Sequence, residues 1–278
     1  MRFEKWQALG NDYLIVERDA LAFALTPPRV RRLCDRHTGL GADGILQLEA
    51  PDEPGFVARL RIFNPDGSEA ELSGNGAREA ILYLRNRGWT DADQFSIQTA
   101  AGEIRPTITG PTSCTVDMGR ARTRSEAYPD GPADGTGEVA GFRFLHVHVG
   151  NPQCAIRLDG EAALEALDLP ALGPGIEHAA LFPQRTNVSW WCALAPGAIR
   201  ARIFERGVGE TQSSGTGASG AAVDHVLRGG DSPVTVHLDG GELTVDVDEA
   251  LHVDLAGWAV AVYSGEVAPG LLAELERS

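Results

Sequence analysis

Lysine is almost missing from this chain of 278 residues: 23 of its 24 basic residues are arginine, and Lys5 stands alone. An enzyme built on pyridoxal phosphate needs a lysine for its Schiff base, and a single lysine at the extreme N-terminus is badly placed to supply one. No cofactor is therefore expected. The four cysteines, Cys34, Cys114, Cys154 and Cys192, show no metal-ligand spacing, so reduced, buried thiols are expected and no metal. No apolar run reaches the roughly 18 residues of a membrane-spanning helix. The opening Met1-Arg2-Phe3-Glu4-Lys5-Trp6 has no apolar signal core, so a cytoplasmic protein is expected. Positive charge is also scarce. The 24 basic residues face 39 acidic ones, giving a net charge of −15. Such a chain repels phosphate backbones and anionic lipid, which argues against nucleic-acid and membrane partners. With 43% hydrophobic and 23% charged residues, a globular chain of one large or two ordinary domains remains.

An internal repeat organises that chain. Residues 61–78, RIFNPDGSEAELSGNGAR, align without a gap on residues 202–219, RIFERGVGETQSSGTGAS, at an offset of 141 with eight identities in eighteen. Gly10-Asn11 echoes Gly150-Asn151 at an offset of 140. Two echoes at nearly one offset point to two similar halves. The boundary is expected near Gly119, because residues 120–141 are rich in Gly, Pro, Asp and Arg and read as a surface loop or linker. A second breaker-rich stretch runs from Leu169 to Gly175. Each repeat copy opens on alternation, Leu60 and Ile62 against Arg59 and Arg61, or Ile199, Ala201 and Ile203 against Arg200 and Arg202, which predicts a half-buried strand. Ser-Gly-x-Gly-Ala follows, then helical spacing over Ala77, Ala80, Ile81 and Leu84, or Ala218, Ala221, Ala222 and Val226. Gly88 and Gly229-Gly230 are the expected helix stops. Further strands are expected at 12–17, 45–49, 95–99, 143–149, 153–158, 187–194, 234–238, 242–247 and 258–263. Each half thus reads as several strands plus one buried helix, an α+β pattern.

A strand that ends in Ser-Gly-x-Gly at a helix start is suited to an anion. First-turn N–H groups have no helical acceptor, the macrodipole is positive there, and glycines allow close approach. Ser73 and Ser214 can equally be ordinary N-caps. Two facing helix starts would hold a small carboxylate between them. Other motifs carry less. The string Gly39-Leu40-Gly41-Ala42-Asp43-Gly44 has no strand before it and no helix after it, so it is a poor dinucleotide fingerprint. His146 and His148 share one strand face without a third ligand and read as structural. Glu205-Arg206, just ahead of the second helix start, reads as part of a binding site.

Taken together, these residues resemble the diaminopimelate epimerase family, within the cofactor-independent racemases. The resemblance rests on Ala8-Leu9-Gly10-Asn11-Asp12-Tyr13, on residues 34–44 from Cys34 to Gly44, and on Phe63-Asn64-Pro65-Asp66-Gly67-Ser68-Glu69. It continues through Gly74-Asn75-Gly76-Ala77-Arg78, Val149-Gly150-Asn151-Pro152, Thr186-Asn187-Val188, residues 205–211, and Gly215-Thr216-Gly217. It implies two pseudo-symmetric domains, each a curled, barrel-like sheet around a central helix, with the active site in the cleft between them. The expected division is 1–118 and 119–263, with the tail 264–278 returning to the first domain. It also implies a homodimer and a two-base interconversion of LL- and meso-diaminopimelate, on the way to lysine and peptidoglycan precursors. In such enzymes one thiolate removes the α-proton and a thiol on the other face returns one. Here Ser73 and Ser214 stand at both thiol positions. Backbone amides of Gly74, Asn75, Gly215 and Thr216 match the carboxylate donors, and Asn11, Asn64, Asn151, Asn187 and Arg206 match the residues that hold the distal amino-acid end. Arginine and amide side chains suit a zwitterion. A serine hydroxyl is a poor base unless another group takes its proton, and Glu205, which matches a glutamate position of the family, is the candidate for that role, whereas Gln153 stands where the family usually has histidine. Three readings follow: an epimerase with serine bases, a non-epimerising isomerase or tautomerase of a related small acid, or a catalytically silent amino-acid-binding protein.

Overall fold

The computed structural model describes residues 1–277. The chain divides into two compact units, Met1–Val116 with the chain from Trp258 onward, and Asp117–Gly257. The first unit runs β1 (Arg2–Ala8), β2 (Asn11–Glu17), α1 (Pro27–Cys34), β3 (Gly44–Glu49), β4 (Ala58–Phe63), β5 (Glu69–Ala70), α2 (Gly74–Asn86), β6 (Ile97–Thr99), β7 (Gly102–Ile104) and β8 (Pro106–Gly110). β9 (Ser113–Arg120) leads into the second unit, which holds β10 (Thr136–Val139), β11 (Phe142–Val149), β12 (Asn151–Arg157), α3 (Glu161–Glu165), α4 (Leu169–Glu177), β13 (Asn187–Ala195) and β14 (Ala198–Glu205). It continues with β15 (Gly209–Thr211), α5 (Gly215–Leu227), β16 (Val234–Leu238), β17 (Gly241–Val247) and β18 (His252–Trp258), before β19 (Val260–Glu266) and α6 (Pro269–Arg277) close the chain.

The repeat seen in the sequence is a repeat of topology. The first sheet runs β1-β2-β3-β4-β6-β7 and the second β11-β12-β13-β14-β16-β17, with β5 and β15 hanging off β4 and β14. In both, the second strand pairs parallel with the third and the fourth pairs parallel with the strand after the helix. Two of the eight identities explain themselves here. Arg61 pairs with Glu69 at 2.7 Å and Arg202 with Glu210 at 2.5 Å, so each half pins its short strand with the same cross-strand ion pair.

Each sheet curls round one helix. α5 packs against β11, β12, β13, β14, β16 and β17, and α2 against β1, β2, β3 and β19. A helix enclosed on all sides is expected to be mostly apolar or small, and α2 departs from this at Arg78 and Glu79. The eleven residues from Gly215 to His225 are all buried, as are those from Gly74 to Leu84. Both helices stop as expected. Gly88 and Gly229 take φ of 72° and 90°, and the amides of Trp89 and Gly230 each donate to a carbonyl five residues back, Leu84 and His225, at 3.0 Å. The outer face of each sheet carries a second apolar layer. In the first unit Phe3, Leu14, Val16 and Ile45 pack with Val30 and Leu33 of α1 and Leu275 of α6. In the second Phe144, Ile156 and Trp190 pack with Leu164, Leu169 and Ile176 of α3 and α4. Burial on both faces is why β2 reads as an unbroken apolar run.

Three expectations need correction. Residues 120–141 are not a plain loop. Arg122 and His148 exchange backbone bonds at 3.0 and 2.7 Å, and Thr136–Val139 pairs with Phe142–Leu145. Tyr128 is buried with its ring 5.5 Å from Phe144 and 5.6 Å from Phe182. Gly131 and Gly137 are there because those rings lie on the backbone: a Cβ would stand 2.2 Å from Tyr128 and 2.5 Å from Phe144 respectively. The breaker-rich Leu169–Gly175 is helical. Asp168 caps it, accepting from the Ala171 amide at 3.1 Å, Pro170 falls in the first turn where no N–H is needed, and Gly173 makes room for the Phe204 ring. The strand expected at 258–263 is two strands, β18 ending at Trp258 and β19 starting at Val260. β1 and α1 lay outside the expectations. α1 opens on Pro27 and buries only Val30, Leu33 and Cys34, too few to show a period.

Arg78 and Glu79 are fully buried in the middle of α2, where the Glu79 carboxylate accepts the Tyr13 backbone amide. Burial pushes Glu79 well up from its ordinary value, against the pull of Arg78. The folded chain therefore binds a proton that the unfolded chain releases near pH 4.3, and stability falls as pH rises above that, by up to about 1.4 kcal/mol per pH unit. Glu79→Gln should abolish this slope. Urea midpoints at pH 5 and pH 8 check it: the variant is expected to gain on the parent at pH 8, and an equal difference at both pH values contradicts it.

Candidate active site

The two matched serines are the N-caps of the two enclosed helices. Ser73 Oγ accepts the Gly76 amide at 3.1 Å, and Ser214 Oγ accepts the Gly217 amide at 3.2 Å. Both serines are extended, with φ of −130° and −144°. Such a cap contributes about 1 kcal/mol to its helix. The amides ahead of the capped one, Gly74 and Asn75 or Gly215 and Thr216, have no intrahelical acceptor. The third-position glycines are steric. A Cβ on Gly217 would stand 2.7 Å from Ile203, and one on Gly76 would stand 3.0 Å from Leu46.

In the first unit a chain of polar contacts runs from the surface to this cap. Arg36 bridges Asp12 and Asp43 at 3.0 and 2.6 Å. Lys5 pairs with Asp12 and donates to the Gly41 carbonyl at 2.7 Å, so the only lysine is engaged in structure. Asp43 accepts from Asn11 Nδ2 at 3.1 Å, Asn11 Oδ1 accepts from Asn75 Nδ2 at 3.3 Å, and Asn75 Oδ1 accepts from buried Arg78. Arg78 also donates to the Gly74 carbonyl at 3.1 Å. Asn11, Asn75, Gly74 and Ser73 are thus gathered around one helix start. Asn64 stands apart from that network: its amide donates to Ser68 Oγ at 3.0 Å within its own turn. Tyr13 was missed by the sequence reading. Its hydroxyl donates to Ser73 Oγ at 3.2 Å. That contact depends on the long-range order of β2, β3 and α2, which no local pattern reveals.

In the second unit Glu205 faces Ser214. Burial raises the Glu205 carboxyl above its ordinary range, and the hydrogen bond from the Ser214 hydroxyl pulls it partly back. Next in the chain, the Arg206 amide donates to Asn187 Oδ1 at 2.8 Å, while Asn187 Nδ2 donates to the Pro152 carbonyl at 3.0 Å. Asn187 therefore ties the Glu205-Arg206 turn to the start of β12, where Asn151 accepts from Gln153. Glu177, also missed, accepts the Gly207 amide at 3.0 Å and Arg185 at 3.2 Å and anchors the same turn. The Arg206 guanidinium donates to the Gln184 carbonyl at 3.0 Å. Asn11 and Asn151 hold matching places, each opening a strand after a glycine with φ of 82° or 73°.

The remaining candidates are structural. The glycine string at 39–44 closes α1, with the Gly39 amide on the Asp35 carbonyl at 2.9 Å and Leu40 on Leu33 at 2.8 Å. His146 is buried against Tyr128, with Nε2 2.9 Å from Ser125 Oγ. All four cysteines are free and buried. Burial pushes the thiols of Cys34 and Cys114 up to about 12 and raises those of Cys154 and Cys192.

The family model for diaminopimelate epimerase matches residues 3–124 and 145–268. A diaminopimelate epimerase of Synechococcus is 39% identical over 281 residues, covering 96% of this chain and 98% of that one. The chain belongs to the diaminopimelate epimerase family. The fold is shared more widely. A PhzF-family phenazine biosynthesis protein of Bacillus anthracis has a TM-score of 0.71 at 18% identity, covering 96% of this chain and 99% of that one. A probable proline racemase of Agrobacterium radiobacter has a TM-score of 0.70 at 16% identity, covering 98% and 95%.

With every native thiol buried and held protonated, no cysteine of this family member is available as a base at neutral pH. Ellman's reagent should therefore find no fast-reacting thiol in the folded chain at pH 8 and four after denaturation. One fast thiol in the folded state contradicts the assignment.

Proposed function

We propose that the protein is an amino-acid epimerase that interconverts LL- and meso-diaminopimelate without a cofactor, with Ser73 and Ser214 as its two proton-transfer groups. The observation that carries this reading is the matched pair of N-cap serines, each at the start of an enclosed helix and each followed by glycines. The α-carboxylate is bound by the amides of Gly74 and Asn75 and of Gly215 and Thr216, where the helix dipoles favour the negative charge that grows as the α-proton leaves. Asn11, Asn64, Asn151, Asn187 and Arg206 hold the distal zwitterion. Glu205 accepts the Ser214 proton as that hydroxyl takes the α-proton, and its raised affinity for protons suits it to the task.

The test is to measure epimerisation of LL-diaminopimelate by the wild type, by Ser73→Ala with Ser214→Ala, and by Ser73→Cys with Ser214→Cys. The alanine pair should be inactive and the cysteine pair faster than wild type by about 10²-fold or more, because a thiol needs no separate base. A cysteine pair that epimerises no diaminopimelate overturns the substrate assignment.

We read the protein as a cytoplasmic homodimer. β19 is an edge strand, and Val262 and Tyr263 on it are 53% and 45% exposed. An apolar edge of this kind pairs readily with a second copy. Val262→Lys should shift the mass found by light scattering from dimer to monomer, and a monomeric wild type contradicts the reading.

A further inference from the structure

The two serines differ in how their hydrogen-bonding capacity is used. A hydroxyl oxygen has two acceptor sites and one hydrogen. Ser73 Oγ accepts twice, from the Gly76 amide at 3.1 Å and from the Tyr13 hydroxyl at 3.2 Å. Its acceptor sites are filled and its own hydrogen is left to give. Ser214 Oγ accepts from Gly217 at 3.2 Å, while its hydrogen is directed to Glu205. One serine is arranged to donate a proton and the other to take one. Tyr13 is held in place for this. It is 6% exposed, and its ring lies against Gly44, where a Cβ would stand 2.6 Å from Tyr13 Cε1.

We propose that Tyr13 is a proton-relay residue for Ser73, so that the first helix start works as the acid arm of the reaction and the second as the base arm. This rests on the epimerase reading above. As the α C–H bond breaks, its proton passes to Ser214 Oγ, and the proton of Ser214 passes to the Glu205 carboxylate. The electron pair stays on the substrate and is spread over its carboxylate. At the first helix start the Ser73 O–H bond breaks as the new C–H bond forms, and the phenolic proton of Tyr13 moves to Ser73 Oγ. A phenol gives up that proton far more readily than an alkyl hydroxyl, so no serine alkoxide is left. Water then takes the proton from Glu205 and returns one to the Tyr13 phenolate, restoring the starting state. The reverse reaction runs through the same groups with Tyr13 ionised and Glu205 protonated.

The test is Tyr13→Phe, which keeps the ring on Gly44 and removes only the hydroxyl. Both LL- and meso-diaminopimelate are incubated in D₂O, with α-deuterium uptake followed by NMR and inversion by chiral chromatography. Inversion should fall by about 10²-fold or more in both directions with KM little changed. Deuterium uptake should continue, with retention, in the one stereoisomer whose α-proton goes to Ser214. The thermal midpoint, measured in parallel, should stay within a few degrees of the parent. Equal losses of uptake and inversion mean that Tyr13 only supports the structure and overturn the relay. An unchanged inversion rate in an active background also overturns it. A wild type that neither exchanges nor inverts diaminopimelate overturns the epimerase reading instead, and the relay with it.

Discussion

A side-chain oxygen that closes the first turn of a buried helix is the contact on which the architecture turns. At Ser73 and at Ser214 the oxygen takes the third amide of the helix, so the serine is fixed at the point where the helix dipole is most positive. The neighbouring sequence follows from it. Glycine at the third position leaves room for Leu46 and Ile203, which press on the helix from the sheet. Small residues fill α5 because six strands surround it. The strand before each helix carries an arginine that pins a short partner strand, at Arg61 and at Arg202. The arrangement occurs twice, once in each unit.

Similar backbones do not give the two serines equivalent chemistry. The residues that touch them come from non-matching parts of the repeat. Glu205 aligns with Asn64, which turns its amide to Ser68 instead, and Tyr13 aligns with Gln153, which donates to Asn151. The repeat thus preserves the frame, and the acid–base groups vary within it. The polar side chains behind the caps follow the same logic. Asp43, Asn11, Asn75 and Arg78 form a connected line from half-exposed Asp43 to buried Arg78 behind the first cap, and such a line holds each amide in one orientation. Asn187 does the equivalent in the second unit by bonding two backbone groups at once.

Much of this was legible in the sequence because the signals were local or repeated. The eight identities located both helix starts, and period-two alternation located β4 and β14, whereas the short strands β5 and β15 were not foreseen. The glycine stops were legible because a left-handed residue after a helix has few alternatives to glycine. What failed did so for identifiable reasons. Residues 120–141 looked like a linker because glycine and proline were counted as flexibility, whereas Gly131 and Gly137 are small to admit Tyr128 and Phe144. Leu169–Gly175 looked broken because Pro170 and Gly173 are breakers in a helix interior, but one sits in the first turn and the other beneath a ring. Tyr13 and Glu177 were missed because their contacts with Ser73 and with the Gly207 amide span at least 30 positions, through strand order and register that composition does not encode.

The central claim is that the capped serines move the α-proton of an amino acid. The most direct measurement is the loss of the α-¹H signal of LL-diaminopimelate in D₂O with the wild-type protein, alongside Ser73→Ala and Ser214→Ala as single variants. The account predicts exchange coupled to formation of the meso isomer in the wild type, with inversion abolished in both variants. Exchange and inversion that persist after either serine is removed would contradict it.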